Sequence, residues 1–126
     1  MFSYLSHLEC TQCGKTCPCD QLIKVSPCCG KVLFARYDLA TMRKEVDRDA
    51  LASRPSNMWR YSELLPVNDP ANVITLGEGG TPLLVAKRVG ESLGMGHLFI
   101  KEEGLNPTGT FKARGIAAAV SKAVEL

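Results

Sequence analysis

The stretch Asn106-Pro107-Thr108-Gly109-Thr110-Phe111-Lys112-Ala113-Arg114-Gly115 decides how the rest of this sequence is read. Asn-Pro-Thr-Gly is turn-forming, and Thr110 suits a helix N-cap because its hydroxyl can accept a backbone N–H. The following Ile116-Ala117-Ala118-Ala119-Val120 is uncharged and small, as in a helix buried against a sheet. Upstream, His97-Leu98-Phe99-Ile100-Lys101 reads as the strand that delivers the chain to the turn. Open α/β sheets bind ligands where a strand ends and the next helix begins. Lys112 falls in the first helical turn, at the positive end of the helix dipole. That field, with partial burial, disfavours the ammonium and frees the amine. Such an amine suits the Schiff-base chemistry that pyridoxal phosphate (PLP) demands. An ordinary surface lysine at a helix start fits the same spacing.

Working outward, Val73-Ile74-Thr75-Leu76 reads as a strand, and Leu84 to Leu93 as a helix stopped by Gly94. Leu39 to about Ala52 reads as a helix with Leu39, Met42 and Val46 on one stripe, broken by Arg54-Pro55-Ser56-Asn57. Short strands are expected near Gln21–Val25 and Lys31–Tyr37, with a polar connector from Val67 to Asn72. Trp59 and Tyr61 have no basic patch around them, so they read as packing residues rather than a platform for bases. His7 and His97 are isolated and receive no role. Gly79-Gly80 is a turn before Thr81-Pro82, with a weak phosphate-loop signal. Fifteen basic and thirteen acidic residues leave a net charge of +2, which argues for neither nucleic acid nor membrane surface. No segment reaches the ~18 apolar residues of a membrane span. The first residues lack the layout of a secretory signal, so a cytoplasmic enzyme is expected.

All six cysteines lie between Cys10 and Cys29. Without a secretory signal this favours a metal site over disulfides. Cys10-Thr11-Gln12-Cys13-Gly14 has the form of a zinc knuckle, two thiolates spaced to bind one ion and a glycine to turn the chain. Cys29-Gly30 closes a second knuckle, but the position that should open it holds Ser26. The fourth ligand is therefore Cys28, Cys17 or Cys19, and adjacent Cys28 and Cys29 make an awkward pair on one tetrahedral ion. The candidate set is Cys10, Cys13, Cys28 and Cys29. A degenerate ribbon with unliganded cysteines fits the same residues.

NPTGTFKARG resembles the lysine segment of the fold-type II PLP-dependent enzymes, which include threonine synthases, serine and threonine dehydratases and cysteine synthases. Met58-Trp59-Arg60-Tyr61-Ser62-Glu63-Leu64-Leu65-Pro66, Gly77-Glu78-Gly79-Gly80-Thr81-Pro82-Leu83 and Lys101-Glu102-Glu103-Gly104-Leu105-Asn106 follow the order and spacing seen in threonine synthases. The resemblance covers essentially the whole chain. It departs at Ala113, where those enzymes often carry aspartate. Some of them begin with a zinc-ribbon-like segment ending in a YDL phrase, which Arg36-Tyr37-Asp38-Leu39 matches.

The resemblance implies a partial α/β fold. A zinc-ribbon-like segment over 1–38 would precede the first part of a PLP-enzyme domain over 39–126. It implies that Lys112 is both catalytic and cofactor-binding, that PLP is the cofactor with zinc as a second candidate, and that the substrate is a small amino acid. The expected reaction turns O-phospho-L-homoserine and water into L-threonine and phosphate, in a homodimer. Family members are much longer than 126 residues. The chain is therefore expected to be an N-terminal fragment, or a truncated product, that holds Lys112 without most of the cofactor site and is inactive alone. Arg114 reads as a partner for a nearby carboxylate rather than an anion site. The rival readings are another fold-type II enzyme (a dehydratase or a cysteate synthase-like protein) and a non-enzymatic zinc-binding module.

Overall fold

A computed structural model describes residues 1–126. The N-terminal part is a three-stranded antiparallel sheet of β1 (Leu5–Cys10), β2 (Thr16–Cys17) and β3 (Leu33–Tyr37), with β1 in the middle. Leu8 faces Cys17 on one side and Ala35 on the other, and Cys10 pairs with Leu33, so the β1–β2 turn leaves and the β2–β3 loop returns beside Cys10. Gln21–Val25 forms no strand, contrary to the sequence reading. Leu22 and Val25 stand exposed, and only Ile23 of its apolar residues is partly covered.

Helix α1 (Leu39–Glu45) is capped by Asp38, whose carboxylate accepts from Thr41 N–H at 3.0 Å and from the Thr41 hydroxyl at 2.7 Å. It ends earlier than expected. Val46 is extended, and Asp47 accepts from Asp49 N–H to start a separate 3₁₀ turn over Asp49–Ser53. Asn57 then caps a 3₁₀ segment over Met58–Leu64. The sheet is strapped to this segment: Tyr4 N–H donates to Glu63 O at 3.0 Å and the Ser3 hydroxyl to Leu65 O at 2.6 Å.

The C-terminal part holds a two-stranded antiparallel sheet, β4 (Leu83–Val85) against β5 (Phe99–Lys101). Helix α2 (Lys87–Ser92) joins them, so the expected helix from Leu84 loses its first residues to the strand. A Cβ on Gly90 would sit 2.6 Å from Met95 O, which is how closely the returning chain approaches α2. Gly94, at φ +67°, ends the turn. Helix α3 (Lys112–Glu125) follows and runs almost to the C-terminus.

Val73–Leu76 forms no strand either. Ile74 N–H donates to the Ser121 hydroxyl at 2.8 Å, Ser121 returns a bond to Ile74 O, and Leu76 N–H is taken by Glu78. Side chains thus replace the ladder that a neighbouring strand would supply. Glu125 likewise accepts from Asn68 N–H and Asp69 N–H. Buried polar side chains outnumber buried apolar ones: Ser26, Glu78, Thr81, Asn106 and Ser121 sit inside beside Tyr4, Met58 and Val67. The apolar residues of α3 face outward instead, with Ile116 60% exposed and Val124 56% exposed. The expectation of a helix buried against a sheet is not met. The fold is mixed α/β with two small antiparallel sheets, and no helix is long and apolar enough to cross a membrane.

Candidate functional sites

Lys112 is the first residue of α3. Thr110 contributes only a long contact, 3.4 Å from its hydroxyl to Lys112 N–H, so the cap is weaker than its sequence suggested. Gly109, at φ +69°, makes the turn that delivers the helix, and its N–H donates to Asn106 O at 2.8 Å. Lys112 is exposed rather than partly buried. Its ammonium lies 5.3 Å from the centre of the Phe111 ring and makes no hydrogen bond or ion pair. The side chain lines a cleft of about 370 Å3 whose walls are mostly apolar, with Ile74, Leu76, Ala113 and Ile116 among them. Thr75, Thr108 and Thr110 supply the hydroxyls of that wall, and Lys112 its single charge.

A polar network fixes the start of α3. Arg114 donates to Glu103 through Nε at 2.7 Å and Nη2 at 2.8 Å, as a two-point fork. The Thr81 hydroxyl donates to the same carboxylate, and Asn106 reaches it at 3.1 Å. Asn106 Oδ1 also accepts from Gly79 N–H. Arg114 and Thr81, with Asn106, hold the Glu103 carboxyl well below the usual carboxylate range. Glu78 is 1% exposed. Burial pushes its carboxyl up, but its own N–H, Leu76 N–H, the Thr75 hydroxyl and the Trp59 indole outweigh that and leave it lowered. Arg114 is thus an ion-pair partner, as read from the sequence. The roles of Glu78 and Glu103 were not legible, although both lie inside motifs that the sequence singles out.

The second cluster lies at the end of the three-stranded sheet. The sulfurs of Cys10, Cys13, Cys28 and Cys29 all lie within 4.8 Å of one another. All six cysteines are free thiols. Cys28 and Cys29 both reach the cluster, so adjacency is no obstacle. Cys17 is buried in β2 and Cys19 bonds Ser6 O at 3.4 Å; neither belongs to the group. The Ser26 hydroxyl, with Cys13 and Gln12 N–H groups, holds the Cys10 thiol down to about 6. Cys13 and Cys28 push Cys29 up to about 12. The Ser26 hydroxyl lowers Cys28, while Cys28 raises Cys13. The four thiols are thus pulled in opposite directions, and a divalent cation would favour the thiolate at all of them.

Residues 74–126, from the cleft wall to the end of α3, match the pattern of the pyridoxal-phosphate dependent enzyme family. This part of the chain is similar to the members of that family. Over nearly its whole length the chain is similar to threonine synthases and corresponds to their N-terminal portion. It is 41% identical to the threonine synthase of Methanocaldococcus jannaschii over 118 residues, 94% of this chain. With that of Methanosarcina acetivorans it shares 38% over 120 residues, 95% of this chain. The Synechocystis enzyme is 49% identical over 76 residues, 53% of this chain and 19% of that protein. The chain spans 29% of the length of each of the first two relatives. Lys112 lies inside the segment that matches the family pattern. The matches with the first two of these proteins extend over the cysteine-bearing part as well.

Proposed function

We propose that this chain is the lysine-bearing N-terminal part of a PLP-dependent threonine synthase, a lyase that forms L-threonine and phosphate from O-phospho-L-homoserine and water. The observation that carries the reading is the unpartnered Lys112 amine at the mouth of an apolar cleft where α3 begins. PLP, when bound, supplies an electron sink for charge developing beside the substrate's amino group. Lys112 Nζ would anchor the cofactor and then carry protons between neighbouring substrate carbons. Ile74, Leu76 and Ile116 would keep water from the bound group, and Thr108 and Thr110 would offer hydroxyls. The residues fit the reactive end of the cofactor. The cleft wall has no charge besides Lys112 to meet a phosphate, and on this reading that task falls to the remaining length of the relatives. Glu103 and Arg114 act by position, fixing the first turn of α3 so that the amine faces the cleft.

Borohydride treatment of the PLP-loaded full-length protein, followed by peptide mapping, tests the assignment. The label is expected on Lys112. Lys101 Nζ already donates to Thr81 O, and Lys122 pairs with Glu125 at 2.6 Å. A label on either of those, or on Lys87, sinks the reading.

The same proposal takes Cys10, Cys13, Cys28 and Cys29 as the ligands of one structural zinc ion in a ribbon over 1–38, with the PLP-enzyme part over 39–126. The convergence of four sulfurs supports it, since four thiolates around one ion is a common structural zinc arrangement. Elemental analysis of protein purified without added metal, beside a Cys13→Ser variant, checks it. Equal and negligible zinc in both refutes it. A cytoplasmic homodimer acting on a small amino acid completes the reading.

A further inference from the structure

The second knuckle repeats the first with one residue out of place. In the first, Cys10 N–H donates to Lys15 O at 2.9 Å and Gly14 N–H to Cys10 O at 3.0 Å. In the second, Ser26 N–H donates to Lys31 O at 2.8 Å and Gly30 N–H to Ser26 O at 2.8 Å. Gly14 and Gly30 share a left-handed backbone, at φ +72° and +63°. By backbone, then, Ser26 stands where Cys10 stands and Cys29 where Cys13 stands. Cys28 corresponds to Gln12, a position with no ligand in the first knuckle, yet its sulfur lies 3.1 Å from that of Cys13. Ser26 is 1% exposed, and its hydroxyl oxygen is 2.9 Å from Cys28 Sγ.

We propose that the ligand role belonging to position 26 has moved to Cys28, and that Ser26 has become the hydroxyl donor that supports the Cys28 thiolate. The proposal rests on the four-cysteine metal reading above. A metal-bound thiolate has no proton, so in the Ser26–Cys28 contact only the serine can donate. Four thiolates around a divalent ion leave an excess of negative charge at the sulfurs. Outer hydrogen bonds of this kind both orient the ligand and stabilise that charge. Tetrahedral zinc–sulfur bonds of about 2.3 Å place the sulfurs about 3.8 Å apart, so the 3.1 Å Cys13–Cys28 contact has only to relax outward. The backbone frame of the second knuckle remains able to present a thiol from position 26, because the two turns are alike.

Cobalt(II) and zinc titrations of the full chain and three variants test this. Cys28→Ser should weaken metal binding at least ~100-fold, because a hydroxyl is a poor replacement for a thiolate. Adding Ser26→Cys to Cys28→Ser should restore the four-thiolate charge-transfer spectrum and bring affinity back to within about tenfold. Ser26→Ala should keep the stoichiometry while losing roughly 10–100-fold in affinity and shifting the thiolate-to-cobalt band, as loss of an outer hydrogen bond does. A doubly altered protein that binds no better than Cys28→Ser overturns the proposal. So does a Ser26→Ala protein matching the unaltered one in both affinity and spectrum. Failure of the unaltered protein to take up any metal sinks the four-cysteine reading itself, and this proposal with it.

Discussion

Glu103 and Arg114, eleven residues apart, are joined by a two-point fork that ties the loop after β5 to the first turn of α3. Because the Glu103 carboxyl is held below its ordinary value of 4.5, its contribution to stability is present above that value and is lost as pH falls toward the folded value. Thermal melts from about pH 7 to about pH 3 should therefore show a fall that is steeper in the unaltered protein than in Glu103→Gln. Glu103→Gln should also melt lower near neutrality. Parallel pH profiles for the two proteins would show that this carboxylate is not a linked group.

Gly80 packs where no side chain fits. A Cβ there would meet Ser56 O at 2.0 Å, on a backbone at φ +61°. Gly109 has a similar φ, +69°, but open space around it. Gly109→Ala should cost about 1–2 kcal/mol, the strain of a left-handed alanine. Gly80→Ala should cost more than about 3 kcal/mol, since the carbonyl of Ser56 must also move. Chemical denaturation ranks the two, and equal losses would count against the tight Gly80–Ser56 approach.

Ser121 is fully buried and serves both backbone groups of Ile74. Ser121→Ala removes that partner and leaves the partly buried N–H and C=O of Ile74 without it. The loss should be about 1–3 kcal/mol by urea titration, with residues 68–76 losing amide protection first. A change below about 0.5 kcal/mol would show that the segment finds other partners.

With PLP and O-phosphohomoserine, the 126-residue chain by itself should release phosphate no faster than PLP alone. Positioning and electrostatic support supply most of the rate at such sites. Beyond Lys112 the cleft offers hydroxyls and hydrocarbon but no charge. A colorimetric phosphate assay decides the matter, and turnover above the cofactor background would mean that fewer groups suffice.

Local signals were read where the local chain decides the outcome. β5, the Gly109 turn and the start of α3 lie close to their expected places, because glycine and asparagine fix that turn without distant help. Val73–Leu76 misled because its pattern is strand-like, while the partners of its backbone come from Ser121 and Glu78 side chains. No periodicity encodes that substitution. The helix from Leu39 is shortened by the extended Val46 and the Asp47 turn, where polar side chains compete with helical bonding. Cys10, Cys13 and Cys29 were placed by their knuckle glycines. Cys28 remained one of three choices, because only the folded turn shows where its sulfur points. Glu78 and Glu103 stand beside glycines, which makes them look like solvated loop acids rather than a buried carboxylate and a half-buried ion-pair partner.

The preference for polar over hydrocarbon side chains in the interior has a calorimetric consequence. Newly hydrated hydrocarbon raises the heat capacity of an unfolding protein, and newly hydrated polar groups lower it. Unfolding this chain hydrates little of the first and much of the second. Its heat-capacity increment is therefore small for its size, and its stability curve bends only gently with temperature. Such a fold keeps gaining stability on cooling past the point where an oil-cored protein of this size reaches its maximum, and cold unfolding is displaced downward.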